Sequence, residues 1–140
     1  MKDYCAFGIV LFFDGKIPLV VDKSNFSKKM WKLPGGKRLG RDQFDPKDTL
    51  VRELYDEIGV TVRELVTDPF FIKEKTNKAG GKYDFIVFSA YWYSGVLTAD
   101  EVEIDKVELF EISQIMKMIR FEEVLPDHAE AIIKYFNSYR

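Results

Sequence analysis

The sequence is short of the residues that staple or ligate. Its 140 residues include one cysteine, Cys5, and one histidine, His128. One cysteine closes no internal disulfide, and without a CxxC pair a Cys/His zinc site lacks ligands. Cys5 lies in an apolar run and reads as a buried hydrophobe. An excess of either charge is also missing: 21 Lys and Arg against 23 Asp and Glu give a formal net charge of -2. General nucleic-acid binding draws on a strong positive excess and is not expected. No apolar stretch is long enough to span a bilayer, and no leader-peptide pattern is present. The expected address is cytoplasmic, with no membrane partner. Internal repeats, low-complexity tracts and linkers are absent too, so residues 1–140 read as a single domain. Hydrophobic residues at 46% and charged residues at 31% are a globular composition, which excludes a wholly disordered chain.

The apolar, aromatic and β-branched run from Tyr4 to Phe13 predicts a central strand covered on both faces. Asp14-Gly15 is a turn signal, and Ile17 to Val21 follows as a second strand, so the two predict a hairpin. Pro18 puts that second strand at an edge or delays its start. Residues 22 to 32 are polar and lysine-rich, and Pro34-Gly35-Gly36 is a strong break. The clearest helix spans 46 to 58: Asp45 is a good N-cap, Pro46 suits the first position, and Gly59 supplies the stop. Further strands are expected near 61–67, 69–75, 83–93 and 103–110, with a hairpin loop at 77–82. Ser113 can cap a short helix. Asp127 is read as the cap of a last helix whose apolar stripe is Ala129, Ile132, Ile133 and Phe136. Hairpins interspersed with helices predict an α/β fold, a mixed sheet with helices packed on it.

The helix at 46–58 carries the chemistry. With Glu53 at zero on a helical wheel, Glu57 lies near about 40° and Asp56 near about 300°, while Leu50, Leu54 and Ile58 fill the adjacent arc. Three carboxylates on one face repel one another. A solvated acidic face can tolerate that, and a divalent cation offsets it more fully. Oxygen-only ligation suits Mg²⁺ or Mn²⁺. The loop before the helix holds Gly35 and Gly36, which permit close backbone approach, and Lys37, Arg38 and Arg41. Basic groups facing a carboxylate cluster fit a polyphosphate bound through a metal.

From Gly36 to Val60 the chain reads GKRLGRDQFDPKDTLVRELYDEIGV. It resembles the signature of the Nudix hydrolases, G-x5-E-x7-R-E-U-x-E-E-x-G-U, where U is a bulky aliphatic. Arg52 and Glu53 match the R-E pair, Glu57 the second glutamate of the E-E pair, and Gly59-Val60 the ending. Asp56 stands in for the first glutamate of that pair. The spacer before Arg52 is two residues longer than the signature, and Asp42 falls where the first glutamate stands when counted forward from Gly36. Trp31-Lys32-Leu33-Pro34-Gly35-Gly36 is similar to the family's usual lead-in.

The resemblance implies a Nudix-like α/β/α sandwich with a mixed β-sheet. It also implies metal-dependent hydrolysis of a nucleoside diphosphate linked to another group, by water attack on a phosphorus. Glu53 and Glu57 would bind Mg²⁺ or Mn²⁺, with Asp56 and the Gly36 carbonyl as further ligands. Arg52 would hold a carboxylate in place, and Lys37 and Arg38 would meet substrate phosphate. Glu103, or Glu101, is the candidate for the glutamate that a later loop contributes in many members. The partner would be a small nucleotide, and the chain a monomer or homodimer. A Nudix-fold protein that binds a nucleotide or a partner without turnover is the alternative, kept open by the insertion and by Asp42. His128 is expected to be neutral at a helix N-terminus, a surface or half-buried residue of the first turn. Asp127 is either the cap alone or, as in some relatives, a reader of the base. Tyr4, Phe26, Phe70, Tyr83 and Phe121 are the candidate walls of a base pocket, and Phe12, Phe13, Phe85, Phe88 and Phe136 are expected in the core.

Overall fold

The structure, a computed structural model, describes residues 4–23, 29–39, 46–65 and 68–138. The elements are β1 (Tyr4–Leu11), β2 (Lys16–Asp22), β3 (Gly35–Leu39), α1 (Pro46–Ile58), β4 (Val60–Leu65), β5 (Phe71–Thr76), β6 (Lys82–Gly95), β7 (Ile104–Glu111), α2 (Ile112–Arg120) and α3 (Pro126–Ser138). The main sheet runs β3-β1-β6-β4, with β5 also on β6. β1 and β6 are parallel; β3, β4 and β5 pair antiparallel with their neighbours. This is the mixed sheet that the alternating hairpins and helices predict.

Both faces of β1 are buried, and strand alternation sends its side chains into two cores. Phe7, Ile9 and Leu11 pack with Leu50, Leu54 and Ile58 of α1. Val10 packs on the opposite face with Ile115 of α2 and Ala129, Ile132 and Tyr135 of α3. β6 repeats the division: Phe85 and Val87 join the second group, Phe88 and Ala90 the first. The result is an α/β/α sandwich. Leu50, Leu54 and Ile58 are fully buried, as the four-residue recurrence requires. The helix ends where positive φ begins, at Gly59 with φ of 74°. The proposed cap Asp45 lies outside the described residues, as do Phe26, Arg41 and Asp42.

Several local expectations need correction. The Asp14-Gly15 turn is present, with Phe13 and Lys16 exchanging both backbone hydrogen bonds at 2.9 and 3.0 Å. The strands it joins nevertheless do not form a ladder. The Phe12 amide stays on Ala90 of β6 at 2.8 Å, and β2 departs to pair with β7 in a second, two-stranded sheet. The α3 helix begins at Pro126, not after Asp127, because proline takes the first helical position and leaves Asp127 inside the first turn. Its buried face runs through Ala129, Ala131, Ile132 and Tyr135, which turns Ile133 partly outward. The α2 helix begins at Ile112, ahead of Ser113, with the Gln114 Oε1 accepting from the Glu111 amide at 2.8 Å. Phe13 is exposed beside the turn rather than in the core, and Cys5 is only partly buried. No helix among the described residues is long and apolar enough to cross a membrane.

Candidate active site

Leu33 to Gly36 run between β1, α1 and α3, and two glycines make that path possible. A Cβ on Gly35 would lie 1.8 Å from the Phe7 carbonyl oxygen, and one on Gly36 would lie 2.4 Å from Glu53 Cγ. At Gly35 fixed backbone leaves no room for a side chain, and at Gly36 one would have to displace Glu53, so this backbone is pressed against β1 on one side and against a signature carboxylate on the other. The Gly35 amide donates to Glu57 Oε2 at 3.4 Å. Glu53 and Glu57 thus meet the same short backbone run from one turn of α1 apart, as residues at i and i+4 must.

Beyond Gly59, residues 96–103 cover the helix C-terminus. The Thr98 amide donates to the Ile58 carbonyl at 2.9 Å and the Asp100 amide to the Glu57 carbonyl at 2.8 Å, filling positions that a helix end leaves without intrahelical partners. The next turn carries Glu103 back to the carboxylates. Its carbonyl accepts from the Lys23 amide at 3.0 Å, and the Lys23 ammonium reaches the Glu101 carbonyl.

Glu53, Glu57 and Glu103 line one end of a cavity of about 420 Å³. Burial raises the Glu57 pKa from 4.5 to about 7; Lys32 and the Gly35 amide oppose the rise, and Glu53 and Asp22 add to it. Lys32 is the largest opposing influence, although its ammonium is shared with Asp22 at 2.6 Å, and burial still prevails. Glu53 is also raised, first by burial; Arg52 opposes, while Asp56 and Glu103 add to the rise. Arg52 is exposed and lies 3.5 Å from Glu53 Oε1 rather than beside Asp56. Asp56 is exposed on the solvent side of α1. Lys37 is exposed at the cavity wall, and Arg38 continues β3 opposite Cys5. A second cavity of about 310 Å³ reaches Glu57 and Glu103 from the side of Asp22 and Lys23.

The donor set is carboxylate oxygen in a partly desolvated wall whose charge the neighbouring cations leave under-compensated. That chemistry suits Mg²⁺ or Mn²⁺. In this arrangement the carboxylates turn to protein partners, Glu57 to an amide and Glu53 to Arg52. Among the described residues no three His, Cys, Asp or Glu side chains converge on a preformed metal site.

The other end of the cavity is aromatic and basic. Tyr83, Phe85, Lys75, Asp127 and His128 line it. The His128 and Phe85 rings lie 4.6 Å apart between centroids, inclined at 40°. Leu33 donates its amide to His128 Nδ1 at 3.0 Å. Burial, with Lys32 and Lys75 nearby, lowers the His128 pKa to about 3. The ring is therefore neutral, as expected, though burial rather than the helix end leads. Asp127 is ion-paired, to Lys75 and to Lys73 at 3.1 Å, and Lys73 also reaches Glu130 at 2.8 Å. Of the aromatic candidates, Tyr83 lines the cavity, Phe70 belongs to the core and Phe121 is exposed. Phe85, expected in the core, does both: it is buried and walls the cavity. Its place two residues after Tyr83, on the same strand face, is the signal that identifies it.

The family model for the NUDIX domain matches residues 4–135. The chain belongs to the Nudix family. Among solved structures, this Nudix chain is similar to the ORF135 protein of E. coli, with a TM-score of 0.78 and 17% identity over 98% of this chain and 91% of that one. It is also similar to a MutT NUDIX hydrolase from Burkholderia pseudomallei, with a TM-score of 0.72 and 18% identity over 96% and 98%. The NUDIX domain of Shewanella oneidensis NrtR, solved with ADP ribose, gives a TM-score of 0.72 and 14% identity over 98% and 87%. These identities establish a common fold and nothing finer. A search of curated proteins finds no match.

Proposed function

We propose that this Nudix protein is a metal-dependent pyrophosphohydrolase acting on a nucleoside diphosphate linked to another moiety, such as a nucleoside triphosphate, ordinary or oxidised. The observation that carries the reading is Glu57: a carboxylate only 8% exposed, at a cavity wall, with Glu53 on the same helix face and with the cation that acts on it, Lys32, already paired to Asp22. Burying such a group is costly unless a charge joins it.

Glu53 and Glu57 would hold the metal, with the Gly36 carbonyl and Asp56 as further donors. When bound, a divalent cation neutralises charge on phosphoryl oxygens and makes water more acidic. The chain supplies the rest. Arg52 fixes the Glu53 carboxylate. Glu103, facing the same end of the cavity, takes the proton of the attacking water. Lys37 and Arg38 draw the diphosphate to the carboxylate end. Tyr83 and Phe85 receive the nucleoside at the other end, where ring faces stack on a base. Water adds to one phosphorus, the anhydride P–O bond breaks, and two phosphorylated products leave.

A second reading, nucleotide binding without turnover, is favoured by one observation: among the described residues no three-ligand metal group is preassembled. One experiment separates the readings. Melting temperature is measured with Mg²⁺, Mn²⁺ and EDTA, alone and with nucleoside triphosphates, sugar nucleotides and dinucleoside polyphosphates, while phosphate and monophosphate release are followed. Hydrolysis predicts metal-dependent stabilisation together with release. Stabilisation by metal and nucleotide without release supports binding alone. A melting temperature indifferent to both overturns the site.

A further inference from the structure

The Leu33–Gly36 run touches three side chains in succession. Leu33 donates to His128 Nδ1 at 3.0 Å, Gly35 donates to Glu57 Oε2 at 3.4 Å, and Gly36 lies directly under the Glu53 side chain. Pro34, between them, has no amide to give, and its carbonyl accepts from Ile9 of β1 at 3.0 Å. The run is therefore pinned at its start by α3, at its middle by β1 and at its end by α1. His128 is the sole side chain from the C-terminal helix among these pins, and it acts across 95 residues of sequence.

An imidazole accepts a hydrogen bond at Nδ1 only when that nitrogen carries no proton. The Leu33 amide thus fixes both the charge and the tautomer of the ring, leaving the proton on Nε2. Contact with Phe85 holds the ring in place. We infer that His128 is a positioning residue for the carboxylate site: by holding the Leu33 amide it sets where Gly35 and Gly36 present themselves to Glu57 and Glu53. The metal-site consequence rests on the proposed function; the mechanical coupling from His128 to Gly35 does not.

The test uses three full-length proteins: wild type, His128→Ala and His128→Asn. Asparagine places an amide oxygen near the position of Nδ1 and can still accept from Leu33, whereas alanine cannot. In the metal-free proteins, hydrogen exchange at the Leu33 amide and the NMR resonance of the Gly35 amide are read. His128→Ala is expected to speed Leu33 exchange about tenfold, the worth of one ordinary hydrogen bond, and to shift the Gly35 resonance; His128→Asn restores both. Mn²⁺ affinity follows the same order, with alanine weaker by about tenfold if the carboxylates lose their alignment, and kcat falls more than KM rises. If His128→Ala exposes the Leu33 amide but leaves Gly35 and Mn²⁺ affinity unchanged, the residue only braces α3 and the inference is overturned. Failure of asparagine to restore Gly35 in a protein of wild-type melting temperature overturns it too. If wild type binds no Mn²⁺, the proposed function fails, and the Gly35 resonance still decides the coupling.

Discussion

Replacing Glu57 by Gln separates stability from function. A carboxyl whose pKa is raised by the fold, here from 4.5 to about 7, binds its proton more tightly folded than unfolded. Stability therefore falls as pH climbs from the unfolded value through the folded one, and the loss is complete above about pH 7. The shift of about 2.5 units is worth roughly 3 kcal/mol at 1.36 kcal/mol per unit, and it already includes the favourable pull of Lys32 and the Gly35 amide. Glutamine is neutral at every pH and keeps an oxygen for the Gly35 amide. In EDTA at pH 8, Glu57→Gln is expected to unfold about 1 to 3 kcal/mol later than wild type, and at pH 4 the two should coincide. The same variant should lose stabilisation by Mn²⁺ and nearly all turnover. Urea unfolding at the two pH values reads the first part, and melting curves with and without Mn²⁺ read the second. A variant no more stable than wild type at pH 8 would refute the claim that Glu57 is an uncompensated buried charge.

Other perturbations separate scaffold from site. Leu54→Ala, in the fully buried stripe of α1, is expected to cost about 2 to 5 kcal/mol in chemical unfolding; a loss near zero would mean the helix faces the other way. Gly35→Ala should prevent stable folding, because its Cβ meets the backbone of Phe7, whereas Gly36→Ala meets the movable Glu53 side chain. The second variant should keep its circular dichroism spectrum and weaken Mn²⁺ binding, so equal stability losses in both would contradict the packing. His128 has a folded pKa of about 3, below its ordinary 6.5, so it withdraws stability as pH falls below 6.5. Urea midpoints of His128→Asn should therefore gain on wild type from pH 6.5 down to 4, and parallel curves would show that the ring protonates freely in the folded chain.

What the sequence reveals follows the range of the interaction. Helix α1 is legible to the residue because Pro46, the Leu50-Leu54-Ile58 recurrence and Gly59 all act within four positions of one another. The two-faced burial of β1 is legible from an unbroken apolar run. Partner choice is not. The Asp14-Gly15 turn is a sound local signal, yet β2 pairs with residues 104–111, and no spacing rule connects them. The start of α3 turns on competition between two adjacent good starters, Pro126 and Asp127, and Asp127 is drawn instead to Lys73 and Lys75 of β5. Two of the three acids at the carboxylate end, Glu53 and Glu57, are written in one helix and legible there. The aromatic end is assembled from β5, β6 and α3: Tyr83, Asp127 and His128 can each be singled out from the sequence, but nothing local brings them together with Phe85 and Lys75.

β6 has a division of labour along its 14 residues. Its first half is laced to β5 and carries Tyr83 and Phe85; its second half is laced to β4, which follows directly on α1. One beam thus has two separately bolted ends. Ligand preference can drift at the β5 end by exchanging that hairpin, while α1 and its carboxylates keep their seat at the other, so the architecture allows one end to change without rebuilding the other.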